Sequence, residues 1–526
     1  MAYFLGLDSS TQSLSAMVID TASGQVVLDE SVNFGSELPR YNSPQGVLPN
    51  PDPKVRHSDP LMWVEALDLV LGRAKARGFD WSKVEGISGA GQQHGSVFLN
   101  RPLGDASSWN PNQNLVEQVR PLLSFPTSPM WMDSSTGEQC LEIAKAVGGA
   151  DRVLQISGSR PIERFTGPQI RKIFQTSPQS YEQTREIHLV SSFMASLLAG
   201  TSAPIDLGDG AGMNLLELSS GRWHSGLLDA TAPSLAQKLR TPAPSGTQVG
   251  TIAPYFVERY GFQPGVPVSA FSGDNPSSLV GMGAIQPGTR LVSLGTSDTV
   301  FAAMDQPRTD PRGYGHVFGN PAGGFMSLIC FTNGSLAREN VARRVGLDWT
   351  AFSRAITEET RPGNDGDFML PFFSPETAPR LAEPGVECFG SASFRDWKEP
   401  ARAARAVVEA QAVSMRRYSD WIGHAPAMLL LTGGASRNPG IQRIVADVFQ
   451  TPVSILSVAN ASALGGALRA AKAAGSLSWA ELFEAFVALD PKVRVEPNPS
   501  ARAAYDALGT AFEEKVELRL ARERAS

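Results

Sequence analysis

The chain has 526 residues, 42% of them hydrophobic and 19% charged, a globular composition too long for one core, so two or more domains are expected. A net charge of −6 with no Lys/Arg blocks argues against nucleic acid or anionic membrane as a partner. Three scattered cysteines, Cys140, Cys330 and Cys388, fit neither a disulfide framework nor a zinc site, and no apolar run approaches the roughly 18 residues of a membrane span; a cytoplasmic protein is expected.

Residues 3–8, 13–20 and 25–34 read as strands, with Ser23-Gly24 turning between the last two. Asp8-Ser9-Ser10-Thr11-Gln12 joins the first pair. Residues 59–79 have helical spacing, with Asp59 as N-cap, Pro60 as first helical residue and Gly78 just past the end. Residues 84–100 read as a buried strand, a Gly-rich polar interruption and a second short strand, and 101–130, polar and rich in Pro, Ser and Asn, as a surface excursion. Pro-rich stretches at 241–246 and 262–267 mark a boundary dividing the chain into 1–265 and 266–526. Beyond it, 265–275 is a strand ending on Asp274, and 289–304 is a strand pair around Gly295-Thr296-Ser297-Asp298, followed by the apolar run 325–331. Helical patterns occupy about 400–423 and 438–449, with 427–436 as a buried strand between them. The strand, hydroxyl-and-acid turn and strand at 4–20 thus recur at 291–303, which indicates a duplication and two related α/β domains.

The familiar glycine loops are absent. No Gly-Lys dipeptide occurs, so a Walker loop is excluded; "GAGQQH" and "GMGAIQ" break the dinucleotide fingerprint, and "GISGA" breaks the hydrolase elbow. The two hydroxyl turns remain. In such a turn, convergent backbone N–H groups bind phosphate oxygens and hydroxyls add donors. An acid there repels phosphate unless a divalent cation intervenes, which makes Asp8 an anchor for Mg²⁺ through water. The alternative is an ordinary hairpin made of good turn formers; two such turns half a chain apart disfavour it. "TGGASRNPG" (432–440) either admits a flat nucleoside against its glycines or only starts a helix, with Ser436 and Asn438 as caps. Asp274, ahead of Asn275 as N-cap and Pro276 as first helical residue, either complements the helix dipole or takes a proton from a hydroxyl in a cleft.

"GLDSSTQS", "GAGQQHGS", "WMDSST", "SGDNPSSLVGMG", "SLGTSDTVF" and "LLLTGGASRN" occur in the order found in the FGGY carbohydrate kinases, which the chain resembles over about residues 3–475. Within that family "LMWVEALD", "GSRPIERFTGPQI", "LVSSF" and "DGAGMNLL" resemble the eukaryotic-type D-xylulose kinases. The resemblance implies an α/β fold of two ribonuclease H-like domains, the actin-like ATPase superfold, flanking a central cleft. It implies ATP-dependent phosphorylation of D-xylulose with ATP and Mg²⁺, by a monomer or homodimer without nucleic-acid or membrane partners. Asp274 matches the catalytic base, with no strongly raised pKa expected, and Asn275 a sugar contact. His94 and Arg164 match residues that bind the ketose hydroxyls, and Asp133 an acidic position near the sugar. Asp8, Ser9, Ser10 and Thr11 match one phosphate loop, and Gly295, Thr296 and Ser297 the other. Gly433, Gly434, Ala435 and Asn438 match the adenine-side loop, and Trp349 an aromatic nucleotide contact. Three stretches depart from the bacterial xylulose kinases: "QQH" replaces Gln-Met-His, "WMDSS" replaces Trp-Asn-Asp-Gly-Arg, and "FFSPETAPR" stands at a Gly-Glu-Arg-x-Pro element. Two other readings are a family kinase for another ketose or polyol (ribulose, gluconate, glycerol) and a non-catalytic nucleotide-dependent sugar sensor.

Overall fold

The computed structural model describes residues 2–104, 109–456, 458, 460–475 and 477–525. The alternating apolar runs at the start pair as expected: β1 (Tyr3–Ser9) lies antiparallel to β2 (Ser13–Asp20), and β2 to β3 (Gln25–Asn33). β4 (Val84–Gly91) runs parallel to β1. β5 (Gln248–Thr251) and β6 (Pro267–Ser269) complete the order β5-β6-β4-β1-β2-β3, and the short β7 (Ser272–Gly273) pairs with the end of β4. The division expected between residues 265 and 266 therefore falls inside this sheet, whose last strand ends at Gly273.

A second seven-stranded sheet repeats the plan. β8 (Thr289–Leu294) and β9 (Asp298–Met304) form the hairpin, and β10 (His316–Gly319) and β11 (Phe325–Phe331) extend it. β12 (Met428–Thr432) and β13 (Val453–Leu456) run parallel to β8, and β14 (Leu489–Val495) closes the edge. The order β10-β11-β9-β8-β12-β13-β14 sets β11-β9-β8-β12-β13 beside β3-β2-β1-β4-β6: three antiparallel strands, then two parallel ones. The duplication read from the two turns is present in the strand order.

Helices cover both sheets. α1 (Pro60–Ala76) starts where the sequence places it: the Asp59 carboxylate accepts the Leu61 N–H at 2.9 Å and Pro60 follows. Its Leu61, Trp63, Leu67 and Leu71 enter the first core. α2 (Val190–Ala199) is buried on every side, which its small and apolar sequence permits. α3 (Asp274–Gly281) leaves β7 directly. In the second domain α4 (Pro400–Tyr418) and α5 (Pro439–Phe449) flank β12 in sequence. α6 (Ala461–Ala473) crosses back onto the first domain. It does so through backbone contact: a Cβ on Gly465 would lie 1.9 Å from the Ser277 carbonyl, and one on Gly6 1.9 Å from that of Ala463. The fully buried Arg469 of α6 donates to the carbonyls of Ala270 (3.0 Å) and Gly89 and to Ser277 Oγ (3.1 Å). This seam joins the domains.

Two stretches differ from their composition. Residues 105–108 of the expected surface excursion lie outside the described residues, but Trp109, Leu115, Val119 and Leu122 are buried in the first core. The polar residues there cover an apolar stripe. After residue 476, which lies outside the described residues, β14 extends the second sheet and α7 (Arg502–Ala525) buries Tyr505, Leu508, Phe512, Val516 and Leu520 at helical spacing.

Candidate active site

Both hydroxyl turns close matching hairpins, β1–β2 and β8–β9. In the first, the Ser10 N–H and Oγ donate to the Ser13 carbonyl at 3.0 and 2.9 Å, which closes the turn. Trp131 Nε1 donates to Thr11 Oγ1 at 2.8 Å. Asp8 Oδ1, Ser9 Oγ and the side-chain amide of Gln92 are buried with no hydrogen-bond partner among the described residues. Burial, and secondarily the Asp274 charge, push the Asp8 carboxyl up to about 8. In the second turn the acid is satisfied: Arg338 grips Asp298 through two bonds of 3.0 and 3.2 Å. Gly295 to Ser297 are left as a neutral loop, braced by the Ser335 N–H on the Gly295 carbonyl at 2.9 Å.

A hard divalent cation fits at Asp8. The donors are oxygens, one carboxylate oxygen lacks a partner, and no cluster of three or more His, Cys, Asp or Glu exists among the described residues to form a protein-only cage. One carboxylate plus water and phosphate oxygens is how Mg²⁺ is usually held.

The register of β7 on β4, Gly273 opposite Gly91, sets Asp274 beside Gln92 and Gln93. α3 begins at Asp274 with Gly273 as N-cap, two residues earlier than the expected cap at Asn275 and first helical residue at Pro276. The reason is local: the Asn275 N–H donates back to Asp274 Oδ1 at 2.7 Å, so Asp274 lies inside the first turn. Asn275 Nδ2 also donates to Asp274 Oδ1 (2.9 Å) and to Gln93 Oε1 (2.8 Å). Burial raises the Asp274 carboxyl to about 6, against the N–H groups of Asn275 and Gln93, which favour its charge. This departs from the near-ordinary carboxylate expected. The wholly buried Asp209, accepting from Ser191 Oγ at 2.5 Å, adds a second acid behind it. Gln93 was missed in the sequence as a site residue; its signal was the "QQH" variation.

His94, expected as a sugar contact, adopts φ +69°, a conformation held only under constraint. Its Nδ1 lies 2.9 Å from the Gly212 carbonyl and so must carry the proton, leaving Nε2 as an acceptor. Burial and the nearby Arg164 lower its pKa to about 3, so the ring is neutral. Phe165 packs on it at 4.5 Å between ring centres. Arg164 lines a cleft of about 880 Å³ between the domains. Asp133 reaches the same cleft wall, but its carboxylate is 1% exposed and occupied. It accepts the N–H groups of Arg56 and Ser135 and the Gln169 amide, each at 2.9 Å. Gln169 in turn donates to the Glu163 carbonyl at 2.8 Å. Through Gln169, Asp133 therefore braces the Glu163-Arg164 stretch.

At the loop expected on the adenine side, parallel pairing of Ser293 with Thr432 brings Gly433 against the second turn. Gly433 has φ +86°, and a Cβ there would lie 2.5 Å from the Leu294 carbonyl. A Cβ on Gly434 would meet open space, the room a flat ring needs. Asn438 caps α5, accepting from Gly440 and Ile441 at 2.9 and 3.2 Å, while Ser436 Oγ donates to the Gly433 carbonyl at 2.7 Å and caps nothing. Trp349 is 54% exposed on a short helix, Trp349–Arg354, and the turn after that helix packs on Gly440 at the start of α5.

Two related α/β halves, each with a hydroxyl turn closing its hairpin, and two interacting carboxylates, Asp8 and Asp274, at the first, are the arrangement a phosphoryl-transfer site would need. The descriptions of the FGGY family of carbohydrate kinases match in two pieces, the N-terminal domain over residues 126–281 and the C-terminal domain over 291–474. The chain is 42% identical over 515 residues to a xylulose kinase of Rattus norvegicus, covering 96% of this chain and 94% of that one. It is 40% identical over 486 residues to xylulose kinase 2 of Arabidopsis thaliana, covering 89% and 86%. Among solved structures it superimposes on a xylulose kinase from Rhodospirillum rubrum with a TM-score of 0.83 at 22% identity, over 98% of each chain. A gluconate kinase from Lactobacillus acidophilus gives 0.83 at 18% identity over 100% of each chain, so the fold by itself does not select a sugar. The chain belongs to the FGGY family of carbohydrate kinases.

Proposed function

We propose that the protein phosphorylates the terminal hydroxyl of D-xylulose with ATP, giving D-xylulose 5-phosphate, with Asp274 as general base. The observation that carries the chemistry is the position of Asp274, at the first turn of α3, beside Gln93 and near enough to Asp8 for the two carboxylates to repel. Identity of about two-fifths along nearly the whole chain to proteins named xylulose kinase supports the choice of sugar.

Asp274, oriented by two bonds from Asn275, accepts the hydroxyl proton as the phosphoryl group moves in line. His94 accepts a sugar hydroxyl through Nε2, and Arg164 donates to the ketose. The first turn offers Asp8 to a hydrated cation and the Ser9 and Thr11 hydroxyls to phosphate, while the neutral second turn supplies backbone N–H groups. Mg²⁺, when bound, spreads the charge of the phosphate oxygens. The Gly433–Asn438 loop and Trp349 hold the base of the nucleotide. Closure of the domains excludes water from the phosphoryl group. The same reading places the enzyme in the cytoplasm, in keeping with three cysteines that form no disulfide.

ADP release measured across D-xylulose, D-ribulose, D-gluconate and glycerol tests this. D-xylulose should exceed the others in kcat/KM by at least about tenfold, since an unpaired polar group in such a site costs that much or more. A preference for gluconate or glycerol would move the assignment within the family. ATP turnover indifferent to every sugar would favour the sensor instead.

A further inference from the structure

The cleft has a second wall that none of the motifs describes. It comes from the second domain and includes His316 on β10, Cys330 on β11 and the segment 375–382. From that segment the Arg380 guanidinium crosses the gap to Glu163 Oε1 at 3.3 Å, and Glu163 is the chain neighbour of Arg164. Among the described residues this is the one ion pair that joins the two domains. Both ends are braced. The Glu163 carbonyl accepts Thr136 Oγ1 at 2.5 Å and the Gln169 amide at 2.8 Å. Just past Arg380, the Ala382 and Glu383 N–H groups donate to Glu523 of α7 at 3.1 and 3.4 Å. Arg519, also on α7, is buried and donates to the carbonyls of Glu383 (2.7 Å) and Gly385 (2.6 Å). The C-terminal helix therefore clamps the backbone that carries Arg380 into the cleft.

We infer that the Glu163–Arg380 pair is an interdomain latch over the sugar pocket, and that α7 anchors its second-domain half. Glu163 and Arg380 are positioning residues: they hold Arg164 and the facing wall closed around a bound ketose. The pair is too exposed to matter much for folding, with the Arg380 side chain 60% exposed and that of Glu163 29%. Its effect falls on the equilibrium between open and closed cleft, which a sugar shifts by binding the closed form better. The inference deepens the sugar-kinase reading and rests on it.

The test is charge reversal and double reversal: Arg380→Glu, Glu163→Arg, and both together, with Glu523→Ala as a probe of the anchor. Each reversal should raise the KM for D-xylulose about tenfold and increase ATP hydrolysis without sugar, with the KM for ATP within about twofold of wild type. These sizes follow from losing an exposed pair and adding like-charge repulsion. Glu523→Ala should give a smaller change of the same kind. The double reversal should return the sugar KM to within about twofold of wild type, a rescue that general structural damage would not show. Singles that leave the sugar KM unchanged, or a double no better than the worse single, would overturn the latch. If wild type shows no sugar-dependent turnover, the kinase reading fails; small-angle scattering then decides the latch, since single reversals must enlarge the radius of gyration and the double must restore it.

Discussion

Replacing Asp274 by Asn should separate activity from stability in opposite directions. The substitution preserves shape and an oxygen for the Asn275 N–H, which donates to Asp274 Oδ1 at 2.7 Å, and it removes only the charge and the basicity. Loss of a general base lowers kcat by about 10² to 10⁴, or about 2.7 to 5.5 kcal/mol of transition-state stabilisation. Stability moves the other way. The carboxyl rises from 3.8 to about 6 on folding, chiefly through burial, so the folded chain holds the proton more tightly than the unfolded one. The resulting penalty is absent below about pH 3.8, grows between the two values and is complete above about 6, where it amounts to about 3 kcal/mol. Asn carries no such penalty. In chelator, the variant should therefore melt above wild type at pH 8 and level with it at pH 4, while its ADP release with D-xylulose collapses at every pH. Turnover within a few-fold of wild type in a folded variant would refute the base, and a variant less stable at pH 8 would refute the electrostatic account. The same carboxylate gives wild-type activity an acid limb, declining as the pH falls through about 6.

Two further substitutions probe the nucleotide side. Asp8→Asn removes the unpaired carboxylate of the first turn, and the Mg²⁺ concentration for half-maximal activity should rise at least about tenfold with the sugar KM unchanged; an unaltered Mg²⁺ titration would exclude Asp8 as the anchor. Trp349→Ala removes a 54% exposed ring, so thermal stability should hold while the KM for ATP rises about three- to tenfold, the range of one aromatic stack; an unchanged KM for ATP would remove Trp349 from the nucleotide site.

The parts of the fold legible in the sequence are those that depend on neighbours in the chain. The β1–β2 and β8–β9 hairpins, the Asp59-Pro60 start of α1 and the Asn438 cap of α5 follow from alternation and capping chemistry over a few residues. Position along the chain misleads where distant pairing decides. β6 follows a Pro-rich stretch yet completes the first sheet, because Val268 pairs with Ile87 about 180 residues earlier. The site divides the same way. Asp8, Asp274 and the glycine loop sit in motifs with local signatures. Asp133 sits in one too, but its role is set by the Arg56 N–H, the Gln169 amide and a His57 ring 3.7 Å away, which no local pattern reveals. Gln93, Glu163 and Arg380 acquire their roles only through partners on other elements.

The two turns also show how a duplication becomes a clamp with direction. Both halves inherited a strand, a hydroxyl turn and an acid, and two identical acidic turns facing one triphosphate would repel it twice. The second copy resolves this by pairing: Asp298 lies one residue beyond the turn, turned inward onto Arg338, which Gln411 holds in place through a 2.7 Å bond. Removing that arginine would strand a buried charge, a change that costs about 3 to 5 kcal/mol in a protein interior, so the neutral turn is built into the second core. Asp8 has no such partner and sits two residues before its turn, which starts at Ser10, with the Asp274 charge nearby. On the proposed mechanism a cation is needed on the first side alone, close to the proposed base Asp274. The asymmetry follows from where each acid stands relative to its turn, Asp8 ahead and Asp298 behind, and from one arginine that the first copy lacks.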